Sequence, residues 1–164
     1  MPPELATSAV AAGSLADFTR RDLIIGRLRE RDAAGIIGEL SRVLGQSNAV
    51  PDALSFYQAA LNQELLSDST ARFGIAVAHA RQSGVKRLQF AFGRAPNPVV
   101  WGGRGSWPVQ LIFLVAVPAT ESSRYLHLLS GLARLAQNPQ AVAKLLAAPD
   151  APSILLVLQE TGLP

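Results

Sequence analysis

The 164-residue chain contains no cysteine. That absence removes disulfides, thiolate-bound zinc and thiol nucleophiles, and nothing in the sequence marks an oxidising compartment. Histidine is nearly as scarce: the chain has two, His79 and His127. Two histidines without cysteine make a poor metal site, and the scattered acids show no ligand spacing, so neither metal nor cofactor is expected. No GxSxG, GxxxxGK[ST], HExxH or GxGxxG occurs, and GGRG at 102–105 is too short for a nucleotide fingerprint. Long apolar runs are missing too. A bilayer span needs about 20 residues, whereas the longest near-continuous run, Val109–Val117, lies between Pro108 and Pro118 and contains Gln110. It reads as a buried strand, and no membrane insertion is expected.

The opening residues are rich in Ala, Ser and Pro and lack the basic start and apolar centre of a signal peptide. Residues 1–18 are therefore expected to be a flexible tail ahead of one domain over 19–164, with a cytoplasmic location by default. The formal charge is +3. Arg20, Arg21, Arg27, Arg29, Arg31 and Arg42 are interrupted by acids, and no basic stripe with interleaved aromatics appears. That pattern argues against nucleic-acid binding and suits an acidic protein partner as well.

About half of the residues are apolar, enough for one well-buried core. Leu23–Leu28 reads as a first strand. Asp32 is a good N-cap for a helix with apolar positions Ile36, Ile37, Leu40, Val43 and Leu44, stopping at Gly45. Pro51 and Asp52 open a second helix running to Leu66. After the polar loop SDSTARF come a short strand, Gly74–Val77, and another, Leu88–Phe92. Residues 97–107, dense in Gly, Pro and Trp, read as a loop with a small hairpin, whose Trp101 and Trp107 either dock a partner or pack on their own domain. Val109–Val117 has the continuous apolar pattern of a central strand covered on both faces. Tyr125, Leu128, Leu129, Leu132 and Leu135 build a helix from Thr120 to residue 136, and helices over 140–147 and 153–160 follow. Strands interleaved with helices predict an α/β fold, a mixed sheet sandwiched between helices.

His79 falls just after the strand GIAV, at the start of a loop, where α/β proteins tend to place reactive groups. His127 shares a helical stripe with Arg124, Gly131 and Arg134. That stripe is either a cationic groove suited to a phosphate or a solvated helix face.

The string GIAVAHAR, residues 74–81, resembles the phosphohistidine signature GIAIPHAR or GIAIPHG of fructose/mannitol-type and nitrogen-regulatory enzyme IIA domains. The family stretch RExxxSTGIGNGIA is matched by Gln63, Glu64, Ser69 and Gly74, and the later segment is similar to the family's apolar strand, proline, variable turn and HLxxLAxLA helix. The resemblance covers about residues 20–160. It implies a mixed sheet between helices and a phosphoryl relay. A histidine-containing phosphocarrier would donate to a ring nitrogen of His79, which hands the group to a IIB domain or holds it as a signal to a regulated transporter or kinase. It also implies that His127 orients or neutralises the phosphoryl group and that Ser69 offers a hydroxyl. Two positions depart from the family pattern. Gln63 stands where an arginine is usual, leaving Arg72 or Arg81 as substitute cations, and Ala78 replaces the proline before the histidine, relaxing the backbone there. The alternative is a degenerate IIA-like regulatory binding module with weak or no phosphotransfer.

Overall fold

A computed structural model describes residues 13–66, 74–102 and 107–164. The elements in order are β1 (Ile24–Ile25), α1 (Ala33–Leu44), α2 (Ala53–Leu66), β2 (Ile75–Gln82), β3 (Gln89–Trp101), β4 (Trp107–Pro118), α3 (Ser123–Ala136), α4 (Pro139–Ala147) and α5 (Ala151–Glu160). The four strands form one mixed sheet in the order β1-β3-β4-β2. β3 and β4 are antiparallel, while β1 runs parallel to β3 and β2 parallel to β4.

Period-two alternation divides the sheet into two faces. Along β4, Ile112, Leu114 and Ala116 join one apolar cluster with Ile36, Ile37 and Leu40 of α1 and Phe56 and Ala60 of α2. Leu111, Phe113, Val115 and Val117 join the other, with Tyr125, Leu128, Leu132 and Leu135 of α3, Leu145 of α4 and Ile154 and Leu158 of α5. The expected sandwich is observed, and the 109–117 run is indeed the central strand. Phe113 anchors the second face, its ring centroid 5.4 Å from that of Phe90 and 4.9 Å from that of Phe92.

The helix starts follow side-chain capping. The Asp32 carboxylate accepts from the Gly35 amide at 2.7 Å, Asp52 from Ser55 at 3.1 Å, Asn138 from Gln140 at 3.1 Å and Asp150 from Ser153 at 3.0 Å. Asn138 and Pro139 therefore both end α3 and begin α4, with proline in the first turn, where its missing N–H is harmless.

Two expectations are corrected and one open choice is resolved. The hairpin strands extend through most of the stretch expected to be a loop: β3 reaches Trp101 and β4 starts at Trp107, so pairing resumes at Val99↔Val109 beyond a register shift between Arg94 and Val99. Pro96 and Pro98 sit in that irregularity, where a missing amide leaves no gap in the ladder. Trp101 is 1 % exposed, and its indole N–H donates to the Glu64 carboxylate at 3.0 Å. It packs inside its own domain. Finally, the expected tail is ordered from Gly13, because Leu15 and Phe18 are buried among α3 and α5 residues and Ser14 bridges Gly162. Residues 1–12, the SDSTARF loop (67–73) and residues 103–106 lie outside the described residues.

Candidate functional site

His79 stands inside β2, not in a loop after it. The strand runs five residues past the expected end at Val77 because all eight of its residues pair with β4, from Ile75↔Leu111 through His79↔Val115 to Gln82↔Pro118. Ala76, Ala78 and Ala80 are buried under α1 and α2. Their small side chains let those helices approach, and alternation turns Ile75, Val77, His79 and Arg81 to the face covered by α3. β2 is an edge strand, so the imidazole is half-buried and reachable from solvent.

On that face the His79 ring meets the Tyr125 ring, centroids 5.4 Å apart and tilted by 41°. The Arg81 guanidinium lies over the same tyrosine, 5.8 Å from its centroid. Its Nη1 donates to the carbonyl of Glu121 at 2.5 Å and to that of Pro118 at 3.5 Å, tying β2 to the turn that leads into α3. Its Nε and Nη2 hydrogens find no acceptor among the described residues. The α3 N-cap, Ser122, makes no side-chain capping bond. The first amide there to bond is that of Leu126, to the Ser122 carbonyl at 3.0 Å. The uncapped amides of Ser123, Arg124 and Tyr125 thus add positive potential near His79.

Burial is the main cause that holds the His79 pKa below the ordinary imidazole value of 6.5, with the Arg81 charge adding to it. Both effects disfavour the imidazolium. The resting ring is the neutral form, which has a free nitrogen lone pair. Tyr125 is pushed up to about 12, burial outweighing the opposing pull of Arg81. It stays a protonated hydroxyl throughout the working range.

The other expected site residues sort as follows. Arg81 lies beside His79. His127 does not: it is exposed on α3, two residues from Tyr125 and so about 200° further round the helix. Of the two readings of its stripe, the cationic groove does not form. Gly131 is buried, and a Cβ there would meet Leu163 at 2.7 Å and Leu15 at 2.9 Å, so the chain ends fill that space. Arg124 pairs with Glu121 at 3.2 Å, and Arg134 donates to the Gly162 carbonyl at 3.4 Å. Gln63 is exposed near the end of α2, the helix packed on the opposite face of the sheet. Ser69 and Arg72 lie outside the described residues. Sequence reading missed Tyr125 as a site residue, although it opens the buried stripe of α3, which fixes which side of that helix faces the sheet. Among the described residues no cluster of His, Asp and Glu could hold a metal ion, and no helix is long and apolar enough to cross a membrane.

The arrangement is an edge-strand histidine beside an arginine and an uncapped helix start, in a mixed sheet covered by helices on both faces. The sequence model of the phosphoenolpyruvate-dependent sugar phosphotransferase system EIIA 2 family matches residues 17–161, and the chain belongs to that family. It is 26% identical over 133 residues to the fructose-specific EIIABC component of Bacillus subtilis (strain 168), covering 81% of this chain but 21% of that protein. The chain therefore spans about a fifth of that relative's length. The fold matches the crystal structure of nitrogen regulatory protein IIA-Ntr from Neisseria meningitidis with a TM-score of 0.74 at 22% identity, covering 88% of this chain and 98% of that one. It also matches enzyme IIA of the mannitol system in its complex with phosphorylated enzyme IIB from Escherichia coli, with a TM-score of 0.73 at 16% identity, covering 85% and 97%.

Proposed function

We propose that this domain is a phosphohistidine carrier that accepts a phosphoryl group on a ring nitrogen of His79. The observation that carries the reading is the neutral, half-buried imidazole set beside a guanidinium with free donors. As the N–P bond to the donor histidine breaks, the His79 lone pair forms a new one. The donor ring, protonated on its second nitrogen, leaves as neutral imidazole, and His79 becomes the phosphoimidazolium. One N–P bond replaces another, so transfer is nearly isoenergetic and depends on positioning and on charge stabilisation at the phosphoryl oxygens. Arg81 supplies that charge, and the first turn of α3 supports it.

The phosphoryl donor in this reading is a histidine-containing phosphocarrier. A IIB domain, or a transporter or kinase that reads the phosphorylated state, takes the role of acceptor. The family and the IIA–IIB pairing in the mannitol complex support this order. The test is intact mass after incubation with the phosphocarrier, its kinase and phosphoenolpyruvate. Wild type should gain about 80 Da, one PO₃H unit, in an acid-labile form, and His79→Ala should gain nothing. An equal gain in both proteins would sink the assignment.

A further inference from the structure

Sequence pattern offered His127 as the residue to hold the phosphoryl group, whereas the structure turns that histidine to solvent and presents Tyr125 instead. Resting on the reading that His79 takes the phosphoryl group, we infer that Tyr125 holds it there, its hydroxyl donating a hydrogen bond to a phosphoryl oxygen alongside the free donors of Arg81.

Four observations carry this role. The tyrosine ring is in direct contact with the imidazole, 5.4 Å between centroids, so the phenol borders the same space as a group carried on that imidazole. The ring is fixed: it is 7 % exposed, belongs to the apolar cluster of α3, and is crossed by Arg81. A donor held in place before the group arrives needs little reorganisation. Its hydroxyl has no hydrogen-bond partner among the described residues and is not among the buried unpaired atoms, so solvent reaches it and its donor is open to an arriving oxygen. Lastly, burial keeps the phenol protonated, so it can donate at any pH at which His79 is a nucleophile.

The bland account is that Tyr125 only packs. Tyr125→Phe separates the two, because it keeps the ring against His79 and removes only the O–H. The measurement uses phosphoramidate as donor, so that no partner surface enters: the His79 lone pair displaces ammonia from phosphorus and one P–N bond replaces another. All proteins carry His127→Ala, which removes the exposed competing imidazole, and label is assigned by peptide mapping. Phosphorylation rate, phosphohistidine half-life and the 31P shift of phospho-His79 are followed together with the melting temperature.

The expected result is that Tyr125→Phe labels His79 about tenfold more slowly at an unchanged melting temperature, corresponding to about 1.4 kcal/mol, with a displaced 31P shift. Tyr125→His, which again presents an N–H, should recover much of the rate. A Tyr125→Phe protein with wild-type rate, half-life and 31P shift overturns the inference while leaving the carrier reading intact. Absence of label on His79 in the Tyr125-containing protein, with free histidine labelled in parallel, overturns both.

Discussion

Arg81 and Arg94 project from different strands toward the same face of the sheet, yet their surroundings give them opposite tasks. Arg94 of β3 is held from two nitrogens by backbone carbonyls on two separate segments. Its Nε donates to the Gly26 carbonyl at 3.0 Å, and its Nη1 to those of Leu145 at 2.8 Å and Ala148 at 2.6 Å, with Leu146 at 3.4 Å. Those acceptors include the last carbonyls of α4, which lack partners within the helix, so the guanidinium caps that helix and joins it to the segment that follows β1. Arg81 of β2 uses one nitrogen to hold the turn before α3 and keeps the rest of its fork open beside His79. A cation held from two nitrogens across two segments is architecture; one held through a single nitrogen keeps most of its fork for an arriving anion.

Three experiments sharpen or break that contrast. The largest effect belongs to Arg94→Met, which strands several carbonyls. Stability should fall by about 3 kcal/mol, lowering the melting temperature by roughly 8 °C, with phosphorylation of the folded fraction unchanged. A thermal melt combined with the mass assay checks this, and selective loss of phosphorylation would erase the distinction between the two arginines. Arg81→Gln should do the reverse. Phosphorylation of His79 should slow on the order of tenfold, while the urea midpoint hardly moves; an unaffected rate would remove Arg81 from the site.

The smallest effect is the pH dependence of His79 itself. Its folded pKa lies below the unfolded value of 6.5, so between the two values the unfolded chain binds more protons and stability rises with pH. Stability is therefore complete above the unfolded pKa and declines as pH falls below it. Urea midpoints at pH 7.5 and 5.5 should differ more for wild type than for His79→Gln; equal differences would mean that burial does not disfavour the imidazolium.

Much of the fold is legible in the sequence, because its signals are local. Asp32 and Asp52 mark helix starts whatever packs above them, and the doubly apolar run of β4 has one comfortable place, the centre of the sheet. What escaped detection depends on partners distant in sequence. β2 reads as ending at Val77 if only apolar residues count, but alanines at 76, 78 and 80 continue the alternation, and pairing with β4 carries the strand through His79. Residues 97–101, with Pro98 ahead of a Gly-rich tip, look like part of a loop until the opposite strand supplies the ladder beyond the shifted register. In the candidate site, His79 is visible from its motif. His127 was named on residue type, while helix phase, legible from the buried stripe beginning at Tyr125, turns His127 to solvent and Tyr125 toward His79. Arg94 carries no local signal at all, since its acceptors lie about 50 and 68 positions away.

The two ends of the domain also touch. The Leu15 amide donates to the Thr161 carbonyl at 3.1 Å, and the Leu163 amide to that of Gly13 at 2.9 Å. A chain that enters and leaves at neighbouring points forms a plug-in unit: it can be spliced into a host loop, joined head to tail by a short linker, or reopened elsewhere as a circular permutant without stretching the rest of the fold.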